Sequence, residues 1–170
     1  MAPIAVTTNS KNFAPVSEGV HNLVLTAVID LGIVMDKMYG PKDKLAFIYL
    51  TDESDEEGQA KLITKSFNKT LGEKSGLRKE IKGLTRKDPP RDIPDVTALI
   101  GTQGVVVIEH NEAKDGSGKV YGNIAAFMPP NGKTVSIPDG WTAPKELVTA
   151  LRNKGMASAS RPVDDNYIPF

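Results

Sequence analysis

The apolar positions of the chain follow two periods, and the change between them marks its elements. In VHNLVLTAVIDLGIV, residues 20–34, Leu23, Leu25, Ala27, Ile29, Leu31 and Ile33 share one parity, which predicts one face of a long strand. Gly32 predicts a bulge or sharp bend, the usual way so long a strand curls. DKMYGPKDK is a turn around Gly40 and Pro41. KLAFIYLTD, residues 44–52, is a second strand in which Leu45, Phe47 and Tyr49 alternate with Ala46, Ile48 and Leu50. The acidic DESDEEG forms a hairpin tip, and AKLITKSFNKT returns as a third strand with Ile63, Lys65 and Phe67 on one side. The period then shifts to that of a helix. In EKSGLRKEIKGLT, residues 73–85, Leu77, Ile81 and Leu84 fall at i, i+4 and i+7 behind Ser75 as a cap. RKDPPRDIP is a loop by its prolines, and DVTALIG a short helical or extended piece. GVVVIEHNE (104–112) and KVYGNIAAFMPP (119–130) are the fourth and fifth strands, and PKELVTALRNKG a short amphipathic helix.

Five strands without βαβ alternation, and one helix inserted between the third and the fourth, predict an all-β chain. That order is the one of the OB-fold, the five-stranded Greek-key barrel, with flexible N- and C-terminal tails. A small β-sandwich is the alternative, and the helix position favours the barrel. Three regions are expected: an N-terminal arm over 1–17, a barrel domain over 18–154, and a linker with a terminal tip over 155–170.

Composition narrows the function. No run of apolar residues is long enough to span a membrane, and MAPIAVTTNSKNFAP lacks the basic and apolar regions of a secretory signal, so a cytoplasmic protein is expected. The chain has no cysteine, which excludes a disulfide framework and thiolate metal sites. His21 and His110 stand in no metal-ligand spacing, and no nucleophile or phosphate-loop motif is present, so neither an enzyme nor a cofactor is expected. The cluster Asp52, Glu53, Asp55, Glu56 and Glu57 lacks the alternation of a calcium loop and reads as a solvated hairpin tip, and His110 as structural.

Charge changes the picture more. Basic and acidic residues balance at 21 each, yet they are sorted along the chain. Between residues 61 and 91, Lys61, Lys65, Lys69, Lys74, Arg78, Lys79, Lys82, Arg86, Lys87 and Arg91 face only Glu73, Glu80 and Asp88. Binding single-stranded nucleic acid needs such a basic track together with aromatic rings for the bases. The candidate set is Lys37, Tyr39, Lys42 and Lys44 around the first hairpin; Tyr49; Lys65, Phe67 and Lys69 on the third strand; Lys74, Arg78, Lys79 and Lys82 after it; and Tyr121 on the last strand. Phe47 and Phe127 read as core. Tyr49, Phe67 and Tyr121 fit either core or platform.

The chain end carries a resemblance. MASASRPV is a small-residue linker leading to DDNYIPF, and Asp164, Asp165, Ile168, Pro169 and Phe170 resemble the acidic tip of bacterial single-stranded DNA-binding proteins and of similar phage proteins. Asn166 and Tyr167 stand where the bacterial tip usually has further acids. The segments VLTAVIDLG, KSFNKTLGEKSGLRKEIKGL and GVVVIEHNE…YGNIAAFMPP, within residues 18–130, are similar in pattern to phage-encoded OB-fold binders. The resemblance implies a single-stranded DNA-binding protein acting in replication, recombination and repair in a bacterial host cell. It further implies that the tip, Asp164, Asp165, Tyr167, Ile168, Pro169 and Phe170, recruits replication or repair proteins. A homodimer is among the arrangements that the strand faces allow. The alternative is an OB-like adaptor that docks such proteins through its tip without binding DNA. An RNA-binding barrel of cold-shock type is a weaker third, since no tight aromatic cluster is present.

Overall fold

A computed structural model describes residues 15–36, 40–112, 118 and 120–160, with side chains described up to residue 152 except that of Asp36. Five antiparallel strands, β1 (Gly19–Asp36), β2 (Gly40–Ser54), β3 (Ala60–Asn68), β4 (Gln103–Glu112) and β5 (Val120–Met128), form one sheet in the order β3-β2-β1-β4-β5. Helix α1 (Gly76–Thr85) lies between β3 and β4, and a 3₁₀ turn (Val96–Leu99) precedes β4. This is an OB-like barrel, as the strand and helix order predicts. A second helix, α2 (Lys145–Ser160), follows β5, so the backbone of residues 155–160 is helical where the sequence predicts a linker.

Strand β1 serves both halves of the barrel because it is long and bent. Gly19 to Val24 pair with β4, while Leu23 to Asp36 pair with β2. The expected bulge occurs where the register shifts between Asp30 and Gly32, with Gly32 at φ +69° and its N–H bonded to Asp30 Oδ1 at 2.8 Å. A second shift, between Leu25 and Ala27, overturns the single parity read for this strand. Leu23 and Leu25 point inward, but the extra residue Thr26 moves the inward set to Val28, and Ile33 is exposed. A third shift, between Val107 and Ile108 opposite Ala126 and Ile124, separates Tyr121 from Phe127 on β5.

The core lies inside the barrel: Leu23 and Leu25 of β1, Leu45, Phe47 and Tyr49 of β2, Ile63 and Phe67 of β3, and Val106 and Ile108 of β4. Helix α1 closes one end. Ser75 caps it by accepting from the Arg78 N–H at 3.1 Å, Leu77, Ile81 and Leu84 enter the core, and Arg86 ends it in the left-handed region at φ 67°. Gly83 is small because α1 meets β5 there, and a Cβ at this position would lie 2.3 Å from Phe127 Cδ2.

No β3–β5 ladder is formed among the described residues, and the seam is filled in two ways. Helix α1 packs against β3, β4 and β5 at one end. At the other, residues 15–18 run across the gap with Val16 buried in the core. Lys61 of β3 donates to the Pro15 carbonyl at 3.2 Å, His110 of β4 lies 2.7 Å from the Val16 carbonyl, and Ser17 donates its N–H and hydroxyl to Glu53 of β2. Residues 15–17 therefore belong to the barrel rather than to an arm. Among the described residues no helix is long and apolar enough to cross a membrane.

Candidate nucleic-acid interface

OB barrels take oligonucleotides across the outer face of strands 2 and 3, between the β1–β2 and β4–β5 loops. In this chain much of that face is already covered. Ala46 and Ile48 point outward from β2 yet are 0% exposed, and Leu50, Val24 of β1 and Val105 of β4 are buried as well. Over β1 and β4 the chain that follows β5 supplies cover. The Asn22 side-chain amide bonds Asn131 at 2.9 Å and the Lys133 carbonyl at 3.1 Å, Gln103 exchanges two hydrogen bonds with the Val135 backbone, and α2 packs on β1. The open outward positions are Ser66 and Asn68 on β3, while Lys42 and Lys44 on the projecting part of the β1–β2 hairpin are half-buried.

The predicted site residues separate into three groups. Two aromatics are corrected to core. Tyr49 is 0% exposed and donates to Glu80 Oε2 at 2.6 Å, with burial first and the Glu80 charge second raising its hydroxyl far above the usual range. Phe67 is buried edge-on against Phe47 at 5.4 Å between centroids. Neither ring offers a face to a base, because the parity that aligns Phe67 with Lys65 is the inward one.

Three cations are engaged within the fold. Lys65 turns inward to Glu80 of α1 at 2.7 Å and lies 5.5 Å from the centre of the Phe67 ring. Lys69 bridges Asp30 at 2.7 Å and Asp43 at 2.9 Å, bonds that raise its ammonium and lower the Asp30 carboxyl. The Arg78 guanidinium donates to the carbonyls of Leu71 and Pro89, tying down the two ends of the α1 region.

The third group faces solvent. Lys79 and Lys82 lie on the outer side of α1, with Lys74 just before it and Arg86 and Lys87 just after. Of these, Lys82 alone forms an ion pair among the described residues, with Asp88 at 3.2 Å. Tyr121 points outward from β5 and is 50% exposed. Lys37, Tyr39 and the tip residues Asp164, Asp165, Tyr167, Ile168, Pro169 and Phe170 lie outside the described residues.

Acids carry roles that the sequence reading missed. Asp52 and Glu53, read as part of a solvated tip, hold the segment that plugs the seam. Asp52 accepts from the Asn22 N–H at 2.8 Å and meets His21 Nδ1 at 2.6 Å. Partial burial alone would raise the Glu53 carboxyl, but Lys61 at 2.6 Å and the bonds from Ser17 outweigh it and bring it down to about 2. Ser17, His21 and Asp52 look superficially like a nucleophile with its base. However, His21 Nε2 lies 2.8 Å from the Ser17 carbonyl and 3.3 Å from the Ser17 hydroxyl, and that hydroxyl donates to Glu53. Glu80 carried a readable signal: it stands three residues after Leu77, within the apolar arc of α1.

A cleft opens where the β1–β2 hairpin leaves the barrel, bounded by the β3–α1 connection and residues 91–97. Its volume is about 590 Å³, its floor is aliphatic, and Asp30, Lys69, Arg91, Asp92 and Asp95 stand on its rim. No group of His, Cys, Asp or Glu side chains among the described residues is placed to hold a metal. No protein-family model matches the chain, and no curated protein matches it in sequence.

Proposed function

We propose that this protein binds single-stranded DNA largely without regard to sequence order, in replication, recombination or repair, and recruits partner proteins through Asp164 to Phe170. The observation that carries the reading is the uncompensated cation row on an OB-like barrel. Lys74, Lys79, Arg86 and Lys87 have no ion pair among the described residues, and Lys82 has a single exposed one. A phosphate backbone laid along the outer side of α1 from Lys74 to Lys87 meets cations without displacing any buried ion pair among the described residues. Single-strand affinity gained this way falls with salt by about 0.7 in log–log slope for each phosphate neutralised.

Fluorescence anisotropy with a labelled oligonucleotide at two salt concentrations tests this. Tight binding at low salt that weakens steeply at high salt is expected. Lys79→Ala with Lys82→Ala should lower the slope by about 1.4 while the fold is kept. Absence of binding at low salt overturns the reading.

The covered outer face of β1 and β2 favours a second reading, an OB-like adaptor that docks replication or repair proteins through the tip and leaves DNA alone. Such a protein fails the titration yet still retains a tip-recognising partner, and loses it when Phe170 is removed.

A further inference from the structure

We infer that the cleft beside the β1–β2 hairpin receives one base of the bound strand and favours bases that carry an exocyclic amino group; this rests on the single-strand reading above. Bases need a dry surface, and the aromatic rings expected to supply it, Tyr49 and Phe67, are inside the core. The cleft supplies one by other means. Its floor is built from Val28, Leu45, Leu71, Leu77 and Ile93, and its volume of about 590 Å³ lies within the usual range of small-ligand sites, roughly 300–1,000 Å³.

The rim decides which part of a nucleotide enters. Asp30, Asp92 and Asp95 stand there against Lys69, which Asp30 and Asp43 already neutralise, and Arg91. A phosphate would meet more negative than positive charge and stays outside, where Lys74 and Arg91 are exposed and free of ion pairs among the described residues. A base edge meets acceptors. Asp30 Oδ1 is taken by Lys69 and Gly32, and Asp95 Oδ1 by Thr97, which leaves the second oxygen of each without a bond among the described residues. Asp92 has no hydrogen bond or ion pair among the described residues. Carboxylate oxygens accept and do not donate. They complement the amino group of cytosine or adenine, and they oppose thymine, which places a carbonyl oxygen where cytosine has its amine.

The test compares oligo-dC with oligo-dT of equal length, titrated by anisotropy against the full chain in one buffer. The expected result is about fivefold tighter binding of oligo-dC, below the value of a full bidentate base contact because the rim is open to water. Asp92→Ala, at an exposed position, should weaken oligo-dC and relieve the opposition to oligo-dT, so that the two affinities converge. A fluorescent cytosine analogue in the strand should change its emission with the wild type and respond less with Leu71→Trp, which fills the cleft, when that variant has a native circular dichroism spectrum. Equal or tighter binding of oligo-dT, or a preference that survives in Asp92→Ala, overturns the base site and leaves the single-strand reading standing. Failure of both oligonucleotides to bind at low salt overturns the two together.

Discussion

Replacing Gly83 with alanine sets two effects of known size against each other. Gly83 lies within α1, where alanine is favoured over glycine by roughly 0.8–1.0 kcal/mol from backbone entropy alone. Against this stands the ring of Phe127. A Cβ at position 83 would lie 2.3 Å from Cδ2 and 2.9 Å from both Cε2 and Cγ, well inside the ordinary carbon contact of about 3.5–4.0 Å. Overpacking of this kind costs about 1–3 kcal/mol, and an overlap above 1 Å belongs at the upper end. The balance is a net loss of about 2 kcal/mol despite better helix propensity. Urea denaturation of Gly83→Ala measures it directly as a lower midpoint. Adding Phe127→Leu should recover most of the loss, and the double-mutant cycle then isolates the clash from the propensity term. A midpoint for Gly83→Ala equal to or above the wild type refutes the packing argument, for propensity would then have won.

Three further outcomes follow from the same geometry. Glu80→Ala removes the carboxylate shared by Lys65 and Tyr49 and should cost about 3 kcal/mol in urea denaturation, the low end for a broken buried pair because Lys65 keeps some solvent. Glu53, held at about 2 against 4.5 for the free side chain, stabilises fully above pH 4.5 and loses its contribution as the pH falls toward 2. The melting temperature should therefore drop across that window, and by less in Glu53→Gln. The Thr26 hydroxyl at the first β1 bulge is buried without a hydrogen-bond partner among the described residues, so the near-isosteric Thr26→Val should raise stability by about 1 kcal/mol; a lower melting temperature would refute it.

The elements themselves were legible because each carries a period. Alternation gave the strands, the spacing of Leu77, Ile81 and Leu84 gave α1, and the helix between β3 and β4 gave the OB-like order. Bulges were legible only where a residue demanded one. Gly32 announces its bend through φ +69°, whereas Thr26 is β-branched and looks at home in an uninterrupted strand. The double burial of β2 was also written in the chain, since Leu45 to Leu50 are six apolar residues in a row. Such a run fits a strand covered on both faces better than one that alternates, but it does not say which part of the chain lies over the second face. Site residues suffered most. Whether Lys65 or Lys69 meets solvent or an acid depends on partners 15 and 39 residues distant, which no local pattern reports.

Those distant partners alter the meaning of the charge run. Lys61 and Lys65 lie on β3 and Lys69 just after it, and Glu53, Glu80, Asp30 and Asp43 neutralise them from β2, α1 and β1. These four acids are thus engaged where the barrel is stitched together, and the three lysines they meet are not free for a ligand. Within residues 61–91, positive charge without an ion pair among the described residues begins at Lys74, and it continues along the solvent side of α1 to Lys87. Because α1 is fixed by Leu77, Ile81, Leu84 and the buried Glu80, these cations sit on a rigid element docked across the barrel seam. Charge placed on a preorganised helix loses less on binding than charge on a loop that must first be ordered. A strand that follows this track avoids the covered face of β1 and β2 altogether.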